Sequence, residues 1–452
     1  MRLLFILTIL CTCGLAHVPL LANGIQITNL QRVGDDGNNG TDFIFTVSWE
    51  NSWRLTSGPA NYDAAYIFAK FRENGGPWRT MSLDGIVNPG GGATLERAPS
   101  PSRGIFVYRD GPGAGDFSTR LQIQWLFENQ GVDGASDVEV KFFALEMVYV
   151  PEGAYDLGDG TTDNGGFYRG EGEFPEPPFF PYRVASENAV FMGISTFTHN
   201  GGSNAGETFG QIRAAYPKGF GAFYAMKYEV SQQQWVDFFN TLDPSQQAEL
   251  DITGSDGKNT DATVDRNAIS WDGQSPATTA LPDVPVNYLP KEYDLAYLDW
   301  AGLRPLTELE YEKASRGPRS AVAGEYAWGN TSLHAASYAL SNAGTPIETV
   351  SNPGTNTGNA AYSITASGNP LRVGIFAASA TNTTRQETGG SYYGIMELSG
   401  NLFERYISVG SAAHRDFTGV AGNGVLTAGG RADAPNWPTD GYSYRGGSYG
   451  GP

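Results

Sequence analysis

Three closely spaced carboxylates, Glu308, Glu310 and Glu312, fall inside the run Thr307 to Arg316. If that run is helical, Glu308 and Glu312 are four apart and share a face, the spacing of a paired general acid and base. The plainer reading makes one carboxylate a helix cap, a second an ion pair with Arg304 or Arg316, and the third solvated; it is preferred here. The turn Ser399-Gly400-Asn401-Leu402-Phe403-Glu404 offers different chemistry. Glycine lets main-chain carbonyls turn inward, while Asn401 and Glu404 supply hard oxygen ligands of the kind Ca²⁺ takes. A purely hydrogen-bonded turn is the alternative.

Other catalytic chemistries lack their residues. The two cysteines, Cys11 and Cys13, both lie within Met1 to Ala22. There Arg2 precedes the apolar stretch Leu3 to Leu10, and Leu20-Leu21-Ala22 ends on a small residue, the pattern of a secretory signal peptide. The stretch is short of the roughly 20 apolar residues of a membrane span. Cleavage after Ala22 would leave a chain without disulfides, thiolate metal sites or cysteine nucleophiles. The expected destination is secreted, periplasmic or cell-surface. The four histidines, His17, His199, His334 and His414, are scattered and predict no three-histidine iron site.

Those residues need a scaffold, and the composition describes it. Only 17% of the 452 residues are charged, glycine numbers 59 and aromatics reach 12%, which suits a loop-rich, β-containing globular chain rather than a coiled coil or a disordered one. A net charge of -19 leaves no Lys/Arg excess to neutralise phosphates, so nucleic acid is excluded as a general partner, and no polybasic face serves anionic lipid. At roughly 100 to 200 residues per domain, two domains are expected.

Residues 23–143 read as an all-β sandwich. Ile25-to-Leu30, Phe43-to-Trp49, Ala64-to-Phe71, Gly104-to-Tyr108, Leu121-to-Phe127 and Val138-to-Phe143 are β-branched and aromatic runs, separated by Gly, Asn, Asp and Pro clusters. Trp49, Trp53 and Trp78 there are read as packing aromatics ahead of a sugar platform. Residues 144–452 form the second unit, with Gly- and Pro-rich loops and three helices predicted: Ser231 to Leu242 with Ser231 and Gln234 as a capping box, Pro290 to Trp300, and Thr307 to Arg316 opened by Thr307 and Glu310. Loops this long need ions or dense hydrogen bonding to hold them.

An ordered set of motifs in this second unit resembles the formylglycine-generating enzyme (sulfatase-modifying factor) family. Met147-Val148-Tyr149-Val150-Pro151-Glu152-Gly153 resembles its opening strand, Phe223 to Ser231 its "fxidkyEVT" segment, and Arg304-Pro305-Leu306-Thr307-Glu308-Leu309-Glu310-Tyr311-Glu312 its "RLPTEAEWE" helix. Tyr326-Ala327-Trp328-Gly329, Val373-Gly374-Ile375-Phe376, Tyr393 to Glu404 and Arg445-Gly446-Gly447-Ser448-Tyr449 follow in register. The resemblance implies an α+β, loop-rich, C-type-lectin-like domain. It also implies structural calcium held by Gly400, Asn401, Leu402 and Glu404 through main-chain oxygens and the glutamate, with Asn342 in a second calcium site. Family oxidases use two cysteines that bind copper; the first would fall at about Gly451, so that chemistry is not expected from these residues. The family fold is expected to continue past Pro452. The function expected is binding of a protein or glycan ligand by a non-oxidase member, with cysteine oxidation on a peptide as the alternative.

Overall fold

The structure is a computed structural model that describes residues 24–35, 40–83, 85, 87–99, 103–134, 136–161, 166–170, 179–199, 208–366, 368–379, 381–438 and 443–451. The expected signal peptide lies outside the described residues. No helix among the described residues is long and apolar enough to cross a membrane.

The alternating aromatic and β-branched runs form strands β1 (Gln26–Asp35), β2 (Thr41–Arg54), β3 (Asp63–Glu73), β4 (Arg79–Thr80), β5 (Val87–Pro89), β6 (Ala93–Arg97), β7 (Gly104–Arg109), β8 (Gly113–Trp125) and β9 (Val138–Val150). One four-stranded sheet runs β1-β2-β8-β5. Along β2 the burial alternates from Thr41 to Glu50, with Phe43, Phe45, Val47 and Trp49 turned inward, and the alternation ends at the irregularity between Trp49 and Ser52. These residues pack with Ala65, Ile67, Ala69 and Phe71 of β3 in one hydrophobic core. Trp49 is buried in that core, and Trp78 is covered by Arg72 and Lys141.

The second sheet has six strands, ordered Phe223–Met226, β9, β3, β7 and β6, with β4 paired to β3. Strand β3 is buried on both faces for most of its length. Its other face, with Tyr66 and Phe68, packs on Trp235, Phe238, Tyr297 and Trp300 in a second core. The expected domain boundary at 143/144 therefore falls inside β9, which pairs with β3 from Glu73↔Val138 to Asp63↔Val148 and continues into pairing with Phe223–Met226.

Four helices carry most of the remaining order: α1 (Gln232–Phe239), α2 (Pro244–Leu250), α3 (Lys291–Ala301) and α4 (Glu308–Arg316). Ser231, Asp243 and Thr307 each cap their helix reciprocally with the glutamine or glutamate three residues on. Helix α2 escaped the sequence reading although Asp243-Pro244-Ser245-Gln246 carries both a capping box and proline at the first helical position.

Candidate functional site

The α4 carboxylates are structural. Glu310 accepts the Thr307 amide and receives a two-pronged ion pair from Arg304, at 2.8 and 2.6 Å. Glu312 pairs with Arg316 and accepts the Gly158 amide. Glu308, expected to be solvated if neither cap nor pair, is instead buried: Arg445 Nη2 lies 2.5 Å from its Oε1, and the Val409 amide donates to Oε2. The solvated carboxylate does not exist, because the Arg445 strand closes over that face of the helix. With all three committed to fixed donors, an acid and base pair has no free proton carrier here.

The 399–404 turn is built differently. Gly400 (φ 93°) and Asn401 (φ 67°) occupy the left-handed region, which lets the Gly400 amide bond Gly446 and the Asn401 amide bond Ala361. Asn401 spends its side chain on structure: Oδ1 accepts the Leu371 amide at 2.8 Å, and Nδ2 donates to Glu229 Oε2 at 2.6 Å. Its carbonyl accepts from Tyr449. Glu229 also accepts the Leu402 amide at 2.7 Å. Asn342, with φ 54°, sits in a different turn after the strand Leu340–Ser341, where its carbonyl accepts both the amide and the hydroxyl of Thr345. No hydrogen bond joins it to the 399–404 turn among the described residues.

Glu404 is the exception within the predicted set. Among the described residues neither of its buried carboxylate oxygens finds a hydrogen-bond partner in another residue, and Oε2 lies against the α-carbon of Gly446 in a space that any β-carbon would fill. Burial, then the neighbouring Glu229, pushes its carboxyl well above the usual range; burial and Glu397 do the same to Glu229. Glu397 is pushed up to about 8 by burial, and its Oε2 likewise has no partner among the described residues. The sequence reading missed Glu229 and Glu397. Glu229 was within reach of it, since it is the glutamate of the quoted "EVT" segment.

This chemistry fits a cation at Glu404: a buried carboxylate without a donor is what a hard cation satisfies. Among the described residues no group of three or more His, Cys, Asp or Glu side chains is arranged to hold a metal, so such an ion would draw on main-chain oxygens besides Glu404.

At the end of the turn two large exposed aromatics, Phe403 and Tyr444, flank Arg405, and a third exposed aromatic, Tyr288, is the chain neighbour of Leu289. Phe403 and Tyr444 meet edge to face with centroids 6.0 Å apart, Arg405 lies over Tyr444, and its Nη2 donates to Leu289 beside Tyr288. Phe403, Tyr444 and Tyr288 are 46%, 54% and 37% exposed. Tyr288 also holds the left-handed conformation (φ 62°), which a bulky aromatic adopts only under constraint; its hydroxyl donates to Asp265, itself at φ 43°. Tyr449 reaches the same Asp265 carboxylate.

The motif helix, the 399–404 turn and Arg445 thus converge through side chains distant in sequence. The sequence model of the sulfatase-modifying factor enzyme 1-like domain matches residues 181–451. The chain belongs to that family. No curated protein and no solved structure matches it. In this sulfatase-modifying factor enzyme 1-like protein the match begins after residues 144–180, which the sequence reading assigned to the same unit. The copper site of the family oxidases does not fit the residues present. Ser448 and Gly451 bond each other's backbones where a thiolate would stand, and no cysteine occurs beyond Cys13.

Proposed function

We propose that this family member is a binding protein of an extracytoplasmic compartment, its N-terminal sheets serving as a β-sandwich support for a ligand-binding face. The observation that carries the reading is the pairing of the exposed rings of Phe403 and Tyr444, with the Arg405 guanidinium over Tyr444. Rigid aromatics give large contact area at low entropic cost, and a guanidinium among them adds stacking and hydrogen bonding for a protein or glycan. Calcium belongs to the same proposal as a structural ion. Glu404 with the main-chain oxygens of Gly400 and Leu402 would hold it, and it would neutralise a carboxylate two residues from Tyr406 and one from Phe403 in the chain.

The test is binding of the full chain to a glycan array and to a peptide array, beside the double substitution Phe403→Ala/Tyr444→Ala. Reproducible binding that the double substitution removes is expected. Conversion of the cysteine in a CxPxR peptide to formylglycine, read by mass spectrometry after incubation with copper and oxygen, would overturn the non-oxidase reading.

A further inference from the structure

The strand Phe223–Met226 ends the six-stranded sheet, and its free edge opens onto a half-enclosed cavity. Two hydrogen bonds establish which backbone groups face that way. The Lys227 amide donates to Glu146, and the Tyr149 amide donates away from this strand to Tyr62. In an antiparallel pair the bonded positions alternate, so Phe223 and Ala225 exchange bonds with Val150 and Val148, while the N–H and C=O groups of Tyr224 and Met226 point outward. Among the described residues neither Tyr224 nor Met226 makes another backbone hydrogen bond.

What they face is a cavity of about 530 Å³. It wraps the strand on both sides: Phe223 and Ala225 line it with Ala314 and Leu398, and Tyr224 and Met226 line it with Tyr66 and Phe106. Leu303 and Leu306 form part of the lining as well. A compact small molecule could fill apolar space, but it would leave a row of main-chain donors and acceptors unsatisfied, at a cost of about 1–3 kcal/mol for each buried group. Only another extended backbone repeats the spacing of that row.

The cavity also has a charge preference. The exposed carboxylate of Glu96 lines it without a basic partner among the described residues, whereas its arginines are already paired, Arg304 with Glu310 and Arg405 with Asp294.

We infer that this cavity is a strand-acceptor slot: it takes an extended peptide segment of a partner protein, apolar on both faces and carrying a lysine or arginine, which adds to the sheet beside Phe223–Met226. The inference rests on the binding reading and supplies its ligand class, with the aromatic cluster at Phe403 bordering the same cavity.

The test pans a phage-displayed library of random ten-residue peptides on the full chain and measures the selected peptides, once synthesised, by fluorescence anisotropy. Selected sequences should be extended and apolar with at least one Lys or Arg. Met226→Pro removes one edge N–H without touching the β9 pairing and should weaken them at least 10-fold, and Glu96→Gln should weaken the Lys- or Arg-bearing ones. Methylating alternate backbone nitrogens of the peptide should have the same effect on the wild-type chain, a measurement that does not depend on any variant folding. Three results would each overturn the slot: no enrichment over the Met226→Pro chain, selected peptides indifferent to N-methylation, or a chain dimer that the peptides fail to dissociate. Peptides lost in Phe403→Ala/Tyr444→Ala but retained in Met226→Pro would overturn the slot while leaving the aromatic face standing. The reverse pattern would support the slot and remove the aromatic face from the binding reading.

Discussion

Lys227 Nζ lies 2.8 Å from Glu146 Oε2, with both side chains buried and the two residues 81 apart in the chain. Asp63 Oδ2, 3.4 Å away, completes a triad whose other bonds reach Trp49, Ser52 and Trp53. Strands β3 and β9 thus meet the family-matched segment through charge as well as through backbone pairing. Burial would discharge the lysine, but the two carboxylates outweigh it and keep it protonated. Replacing Lys227 by Met strands two buried carboxylates and should cost about 3–5 kcal/mol, read by urea denaturation. A loss below about 1 kcal/mol would show that the triad does not join the two parts.

Arg445 performs the same service for α4. It lies between Glu308 and Glu312, at 2.5 and 3.6 Å, and so ties the "RGGS" segment to the motif helix. Arg445→Met should destabilise by a similar few kcal/mol, and adding Glu308→Gln should restore part of that loss by removing the stranded charge. Additive losses in the double variant would refute the coupling.

Stability should fall as pH rises from about 4.5 to about 8. Glu397 holds its proton to about 8 in the folded chain, against 4.5 for a free glutamate, so the folded state binds more protons across that window and loses its advantage as the pH climbs through it. Thermal melts from pH 5 to 9 should show the decline, and Glu397→Gln should flatten it. An unaltered slope in the variant would assign the decline to other groups.

Calcium should raise the melting temperature, by about 2–4 °C for each kcal/mol of binding free energy in a chain segment of this size. The rise should vanish with chelator and in Glu404→Gln. An identical midpoint with and without calcium would remove the ion from the 399–404 turn.

Phe403→Ala/Tyr444→Ala should cost no more than about 1–2 kcal/mol, since each ring is already about half exposed. Loss of ligand by a chain still folded at the assay temperature then reports contact instead of unfolding.

What the sequence determined was local. The capping boxes at Ser231 and Thr307 are written in residues three apart, and β2 is written in alternation, because a hydrogen bond or a pleat between near neighbours needs no knowledge of the chain's path. The ordered motifs likewise sufficed for the family. Tertiary structure alone decided how those pieces act on one another. Arg445 reaches Glu308 across 137 residues, and the Leu402 amide reaches Glu229 across 173, which turned a supposed solvated carboxylate into a buried ion pair and spent Asn401 on hydrogen bonds. The same holds for the slot beside Phe223–Met226. That strand's sequence specifies which side chains face each way, but whether its second edge is paired or open depends on what the rest of the chain brings alongside.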